Sequence, residues 1–393
     1  MKLTNYIKNL DSLVAATIGF VVVYLFTKHG GIGISPDAIM YTSAARNFHD
    51  HGTLQTFTNQ PIVDFPIFYP VFLATVYFIT GIDPVSAGPL IDGLLFAGLL
   101  FMSGWLMQHF VLKNLVYKWL VLALILLSPA LLQVYTYLWS ETLFTFLVLV
   151  FFVAFSNYIN KRTVTALIIA ALIAALTSVT RYAGVTVIGT GGLLLLIDRQ
   201  TTLKKRAVPI LIYSVVASSF LIANLLRNHL LNGNTTGPRE ASVTSFGKNL
   251  SYFGSVLSEW FSFTVTSYSL SVCIAALIIV ALIIALLYHT FIKNLNNYLI
   301  IAIAFSLVYT LFITLSATFS RFEQINNRLL SPIYIPLIWS LTWWVIHSPQ
   351  SWSAAKKLPI YFIFGLSAVW LGYRLYKIDY QRYDDQFDYG VPG

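Results

Sequence analysis

The sequence predicts an all-α integral membrane protein that crosses the bilayer about eleven times, within a range of about ten to thirteen. Of its 393 residues, 57% are hydrophobic and only 10% are charged, whereas soluble domains carry about 25% charged residues. The apolar residues form runs long enough for membrane-spanning helices. Lys and Arg fall mostly in short connectors between the runs, which is how topology is set in membrane proteins.

The runs divide the chain into a series of candidate helices. We expect a single transmembrane domain over residues 1–393, without an internal repeat. The approximate runs are 12–27, 66–80, 90–111, 117–135, 138–157, 164–180, 183–198, 207–226, 269–291, 298–318, 329–347 and 358–376.

The basic connectors predict the orientation of these helices. Lys2 and Lys8 precede the first run and favour a cytoplasmic N-terminus in the cell (inner) membrane. Strict alternation from residue 90 onward then places every strongly basic connector in the cytoplasm. These connectors contain Lys113 and Lys118, Lys161 and Arg162, Arg199 and Lys204–Arg206, Lys293, and Lys356–Lys357.

One segment does not fit a strict alternation of helices across the membrane. With a cytoplasmic N-terminus and cytoplasmic basic connectors, residue 27 and residue 90 must both lie outside. Residues 28–89 therefore cross an even number of times. The run 66–80 is short and contains Pro66 and Pro70, so we expect it to be re-entrant or interfacial. An inverted N-terminus is the alternative.

This topology places the candidate functional residues together at the outer face of the membrane. Outer loop 1 covers about 28–65 and outer loop 2 about 227–268. Ionisable groups near membrane spans are functional candidates by default, although the outer ends of helices are also wet and tolerate charge. As a set they predict one cavity that mixes carboxylates and arginines. The set contains Asp37, Asp64, Asp92, Glu141, Arg181, Arg227, Arg239, Arg321, Glu323 and Arg328.

Asp37 lies at a recognisable helix start. Ser35 is a good N-cap, Pro36 fits the first helical position, and Gly52 is placed to end the helix. Tyr41, Ala44, Ala45 and Phe48 share one face, which suits an amphipathic helix on the membrane surface. Asp37 is either a helix-start charge that complements the dipole or a general base for an acceptor hydroxyl.

Glu141 and Arg181 each have a structural and a functional interpretation. Glu141 is a helix-start acid, or it orients an acceptor or shares a cation with Asp37. Arg181 either snorkels to the interface or holds a phosphate. No cofactor is predicted firmly, and a divalent cation is left open. The +9 net charge is accounted for by topology, so no nucleic-acid partner is expected. No P-loop, dinucleotide fingerprint or HExxH motif occurs.

The motifs and their order resemble those of the GT-C superfamily of multi-spanning glycosyltransferases. The similarity is to bacterial members related to protein O-mannosyltransferases and to lipid A sugar transferases. It extends over about residues 35–340. The matching segments are Asp37 with Tyr41 and Ala45, Phe65–Pro70, Ser140–Phe144, Thr180–Gly184, Arg227–Arg239 and Asn327–Pro332.

The resemblance implies a polyprenyl-phosphate-linked hexose or pentose donor and transfer on the extracytoplasmic face to a glycan, lipid or protein acceptor. Asp37 would be the base and Glu141 a second acidic site residue. The donor phosphate would be contacted by Arg181, Arg328, Arg227 and Arg239, and support would come from Tyr41, Asp64, Tyr69 and Tyr182. The first-loop motif has one acid instead of the acidic pair of the protein mannosyltransferases, which puts a tightly held metal in doubt.

A transporter or lipid flippase for polyprenyl-linked or cell-envelope glycans is the alternative function. Transporters usually place polar sites near the bilayer midplane, in repeated halves with broken helices. The centres of these runs are nearly free of charge and no halves match. A non-catalytic membrane scaffold is a third reading, against which the intact Asp37 and Glu141 argue.

Overall fold

The computed structural model describes residues 9–110, 115–261, 265–292, 296–321 and 323–347, together with 369–370 and 373. Within these ranges the regular structure is entirely helical. The lysines at 2, 8, 113, 293 and 356–357, and most of the run 358–376, lie outside the described residues.

The described residues form fourteen α-helices and one short 3-10 turn at Tyr182–Gly184. In chain order the helices are α1 Leu10–Gly30, α2 Pro36–His51, α3 Phe68–Thr80, α4 Pro84–Met107, α5 Leu115–Leu126, α6 Pro129–Tyr135, α7 Ser140–Lys161, α8 Val164–Thr180, α9 Val185–Leu196, α10 Leu203–Asn232, α11 Phe246–Trp260, α12 Tyr268–Phe291, α13 Asn297–Phe319 and α14 Asn327–His347.

Six of the described helices are long and apolar enough to cross a membrane, which confirms the predicted all-α membrane class. They are α1, α4, α7, α10, α12 and α13. Helices α5 and α6 make a seventh candidate if they form one span, which bends by 49°. The bend falls before Pro129, where proline cannot continue a helical hydrogen-bond ladder. The predicted eleven also include α8, α9, α14 and the run 358–376.

The helices run between two polar ends of one bundle. At the end that we call the Glu141 end, the start of α7 meets the end of α8 through an ion pair of Glu141 with Arg181. At the opposite end, the Arg162 end, Arg162 after α7 pairs with Asp198 after α9 at 2.5 Å. From α7 onward, the long helices alternate between the ends. Which end faces the cytoplasm stays a prediction.

Helix α3 lies in the segment that connects α1 to α4. Ile32 follows α1 and packs against Gly88 in the first turns of α4, where a Cβ would lie 3.2 Å from Ile32. The chain therefore leaves α1 and enters α4 at the same end of the bundle. Between them α3 lies along α2, and the Tyr77 ring stacks on His49 at 3.8 Å.

Helix α2 has the predicted caps, but its apolar face has a different partner. Ser35 accepts a hydrogen bond from the Ala38 amide, and Gly52 ends the helix at a φ of 70°. The face of Tyr41, predicted to lie on the membrane surface, is buried against protein instead. Phe65 and Tyr69 cover it, with ring centroids 5.0 and 5.1 Å from that of Tyr41.

The predicted run 90–111 places Asp92 at a helix start, and this prediction is wrong. Helix α4 begins at Pro84, because Asp83 caps it by accepting from the Val85 amide at 2.9 Å. Asp92 therefore lies in the third turn and is fully buried. It belongs to the interior of a span and not to the boundary with water.

Close backbone contact between α11 and α12 gives a test of the packing. A Cβ at Gly254 would lie 2.7 Å from the Ser271 carbonyl carbon. We expect Gly254→Ala to separate the helices and cost about 1–3 kcal/mol, measured as a lower Tm in detergent. Gly192→Ala is the matched control, because no atom beyond its own stretch of helix lies within 4 Å of its Cβ position and alanine favours helix by about 1 kcal/mol. Equal Tm values for both variants would contradict this packing.

Candidate active site

Arg328 joins the first turns of three helices that are distant in sequence. Its Nε donates to Glu141 Oε1 at 2.5 Å, and its Nη2 donates to Asp37 Oδ2. Its guanidinium carbon lies 4.1 Å from the ring centroid of Trp139, a distance suited to a cation–π interaction. The starts of α2, α7 and α14 are thus held together by one planar side chain.

Glu141 is the buried anchor of this junction. Its side chain is 1% exposed, and its second oxygen pairs with Arg181 Nη1 at 2.5 Å. Burial has the largest single effect on Arg181 and opposes its charge, but Glu141, Tyr41 and Tyr309 together outweigh it, so the pKa of Arg181 is raised. Two guanidinium groups therefore face Glu141, and the Asp37 carboxylate balances the second of them. The junction is neutral as a whole.

Tyr41 and Ser140 connect the junction to α2. The Tyr41 hydroxyl and Ser140 Oγ are 3.2 Å apart, and Ser140 Oγ also accepts from Arg181 at 2.9 Å. Burial raises the pKa of Tyr41, so this phenol stays protonated at neutral pH. It can position its neighbours but is unsuited to act as a base.

A cavity of about 470 Å³ opens above the junction. The Asp37 side chain is 27% exposed and lines the cavity, whereas Glu141 lies behind it. Seven of the sequence-predicted site residues line the cavity together with Arg321 and Glu323. These seven are Asp37, Tyr41, Asp64, Arg181, Tyr182, Arg239 and Arg328.

Two predicted site residues support the wall of the cavity but do not line the cavity itself. Arg227 Nη1 donates to the Ile62 carbonyl at 2.9 Å, so it fastens outer loop 1 to the end of α10. Tyr69 is fully buried beneath Tyr41. Arg227 and Tyr69 are therefore not among the residues that line the cavity.

Asn228 contributes to the same wall, although sequence reasoning gave it no role. Its Nδ2 donates to the Val63 carbonyl at 3.1 Å, the Tyr182 hydroxyl at 3.2 Å and the Thr235 carbonyl at 2.9 Å. Asn228 thus ties both outer loops to the turn after α8. Its position next to Arg227 was the only sequence signal.

Glu323 adds a third carboxyl near Arg328. Its Oε1 lies 3.7 Å from Arg328 Nη1, and the side chain is 43% exposed. Burial raises the pKa of Glu323, and Arg328 only partly offsets this effect. Glu323 therefore takes up a proton more readily than a free glutamate.

The residues do not fit a divalent cation shared by Asp37 and Glu141. The guanidinium of Arg328 lies between the two carboxylates and uses an oxygen of each. No group of three or more His, Cys, Asp or Glu side chains suited to a metal occurs among the described residues. The cation left open by the sequence therefore has no support at this position.

No protein-family model matches the chain, and no curated protein matches its sequence. Among solved structures, the chain is similar to the arabinosyltransferase EmbB from Mycobacterium smegmatis, determined by single-particle cryo-EM. The identity is 14% and the TM-score is 0.45, over 94% of this chain and 41% of that chain. This chain spans less than half the length of that protein, and a likeness at this level does not assign an activity.

Replacing Glu141 tests the junction. We expect Glu141→Gln to lower the free energy of unfolding by about 3–5 kcal/mol, because Arg181 and Arg328 would lose a buried counter-charge. The matched control is Glu240→Gln, since Glu240 pairs with Arg321 at the exposed surface and such pairs contribute less than about 1 kcal/mol. Unfolding in detergent is the measurement, and equal losses for both variants would show that the junction is not the stabilising element.

Proposed function

We propose that the chain is a membrane glycosyltransferase that moves a sugar from a polyprenyl-phosphate-linked donor to an acceptor hydroxyl, with Asp37 as the general base. The observation that carries the proposal is the placement of Asp37. Its carboxylate is fixed by Arg328 yet opens into the cavity. A base must reach the proton that it removes, and this carboxylate can do so.

Convergence of distant motifs supports the proposal. The segments that resemble GT-C motifs are spread from Asp37 to Arg328 along the chain. In the fold, Asp37, Pro66, Arg181, Arg239 and Arg328 all line one cavity. If each of these similarities had arisen by chance, there would be no reason for the residues to line the same cavity.

The chemistry is a single displacement. The acceptor hydroxyl gives its proton to the Asp37 carboxylate, and its oxygen forms a bond to the anomeric carbon of the sugar. The bond from that carbon to the phosphate oxygen breaks, and the polyprenyl phosphate leaves with the electron pair. Guanidinium groups around the cavity stabilise the negative charge on the leaving phosphate.

Arg239 is the best candidate for the first contact with the donor phosphate. Among the described residues no carboxylate forms an ion pair with it, and its side chain is exposed where it lines the cavity. Arg181 and Arg328 already neutralise Glu141 and Asp37. A phosphate could therefore pair with Arg181 or Arg328 only by taking the place of a carboxylate that these arginines already bind.

We also propose that the cavity faces the extracytoplasmic side of the cell membrane. The basic residues at the Arg162 end favour the cytoplasm for that end. Residues 82–86 lie with the Glu141 end, so single cysteines there, in a Cys273→Ser background, should react with an impermeant reagent from outside. Labelling only after permeabilisation would refute this orientation.

The variant Asp37→Asn tests the base directly. We expect turnover to fall by about 10²–10⁴-fold, the range of general-base catalysis. The assay is transfer from a panel of polyprenyl-phosphate-linked pentoses and hexoses by the full chain in proteoliposomes. Asp50→Asn is the matched control, because Asp50 is an exposed aspartate in the last turn of the same helix. Full turnover by Asp37→Asn would remove Asp37 as the base, and glycan uptake without transfer would favour a transporter.

The variant Arg239→Gln tests the phosphate contact. Loss of an exposed guanidinium that meets the donor phosphate should raise the donor KM about tenfold while kcat changes little. Arg46→Gln is the control, since Arg46 is exposed on α2 and pairs with Asp83 at 2.6 Å. An unchanged donor KM in Arg239→Gln would exclude that contact.

A further inference from the structure

A second polar cavity lies at the Arg162 end, on the opposite side of the bundle from the candidate active site. It has a volume of about 230 Å³ and lies among the ends of α7, α9, α12 and α13. Its polar lining includes Arg162, Asp198, Arg199, Gln200 and Asn297. Nothing in the proposed transfer reaction uses this cavity.

The charge around the cavity is one-sided. Between residues 182 and 206 the sequence contains the basic residues Arg199, Lys204, Lys205 and Arg206, and Asp198 is the one acid. Lys161 and Arg162 add two more positive charges at the same end. Asp198 is already used, because Arg162 donates to both of its oxygens.

Arg162 and Arg206 also have structural partners. Arg162 Nη2 donates to Gln200 Oε1 at 2.9 Å, and Arg206 donates to the carbonyls of Leu196 and Thr201. These two guanidinium groups therefore hold the connector between α9 and α10 in shape. Their contacts give the cavity a fixed wall.

Three further cations at this end, Arg199, Lys204 and Lys205, are not neutralised by an acid among the described residues. In the part of the chain that the structure describes, no carboxylate forms an ion pair with any of the three. Arg199 is one of the residues that line the cavity. Its guanidinium carbon lies 4.8 Å from the Phe291 ring centroid, and its Nη1 donates to the Phe291 carbonyl at 3.0 Å. All three side chains are exposed, so their charges are available to an external anion.

Apolar side chains surround this positive group. Leu196 is 55% exposed, Phe291 54% and Leu203 72%, and all three lie at the same end of the bundle as Arg199. Exposed apolar groups beside cations suit the boundary between acyl chains and headgroups. A soluble anion would use the cations alone, whereas a lipid would use both surfaces.

We propose that this cavity binds the phosphodiester headgroup of an acidic phospholipid. Arg199 meets the phosphate at the cavity, Lys204 and Lys205 add attraction at the surface, and the acyl chains lie along the apolar side chains beside them. Basic pockets between transmembrane helices are known sites for such headgroups. This inference is independent of the proposed transfer reaction.

The test compares lipids in nanodiscs that hold the full chain. Tm is measured in phosphatidylcholine alone and in phosphatidylcholine with phosphatidylglycerol, because a ligand of the folded state raises Tm. Phosphatidylglycerol should raise Tm for the unaltered chain. In Arg199→Gln its binding should be about five- to tenfold weaker, as expected for one lost cation at a charged surface. Arg46→Gln is the control, since it removes one exposed arginine at the Glu141 end.

Three results would overturn the proposal. The first is an equal Tm in both lipid mixtures, and the second is an undiminished phosphatidylglycerol effect in Arg199→Gln together with Lys204→Gln and Lys205→Gln. The third is an equal rise in Tm with inorganic phosphate in phosphatidylcholine nanodiscs, which would identify a soluble anion. A loss in Arg199→Gln that Arg199→Lys largely reverses would support a charge contact.

Discussion

The structure of the Glu141 end depends on one arginine that binds two carboxylates. Arg328 reaches Asp37 and Glu141 from α14, and these acids come from the first turns of α2 and α7. A planar guanidinium can donate to two acceptors in fixed directions, which the single ammonium of lysine cannot do with the same geometry. The placement of the open Asp37 carboxylate in the cavity follows from this contact, because it fixes three helix starts that no local sequence connects.

The depth of the two acids separates their chemical roles. Glu141 is enclosed and needs a full positive partner at each oxygen, since a buried charge without one is strongly destabilising. Asp37 keeps part of its surface open to the cavity. Arg181 pairs with Glu141 independently of Asp37, so an exchange of partners at Arg328 would leave Glu141 still neutralised.

Local rules predicted local features well, and tertiary packing decided the rest. Ser35, Pro36 and Gly52 determine the bounds of α2 through capping and backbone preference, which act within a few residues. The partner of the α2 apolar face was not predictable in this way, because Phe65 and Tyr69 cover it from another segment. Asp92 was misplaced since its depth depends on where α4 begins. Arg227 satisfied the charge pattern expected of a phosphate contact, yet its hydrogen bonds hold the loops.

The two ends of the bundle differ in how their charges are neutralised, and this difference bears on what each can bind. At the Glu141 end, carboxylates and guanidinium groups are paired inside the protein, so a cavity with buried charges is stable without a ligand. At the Arg162 end, Asp198 pairs with Arg162 and the buried Asp11 pairs with Lys118, and further cations remain at the surface. The same chain thus presents a balanced polar cavity at one end and an uncompensated positive surface at the other. The proposed acidic phospholipid would supply the missing negative charge for the second, whereas the proposed lipid-phosphate donor would have to exchange partners with Arg328 at the first.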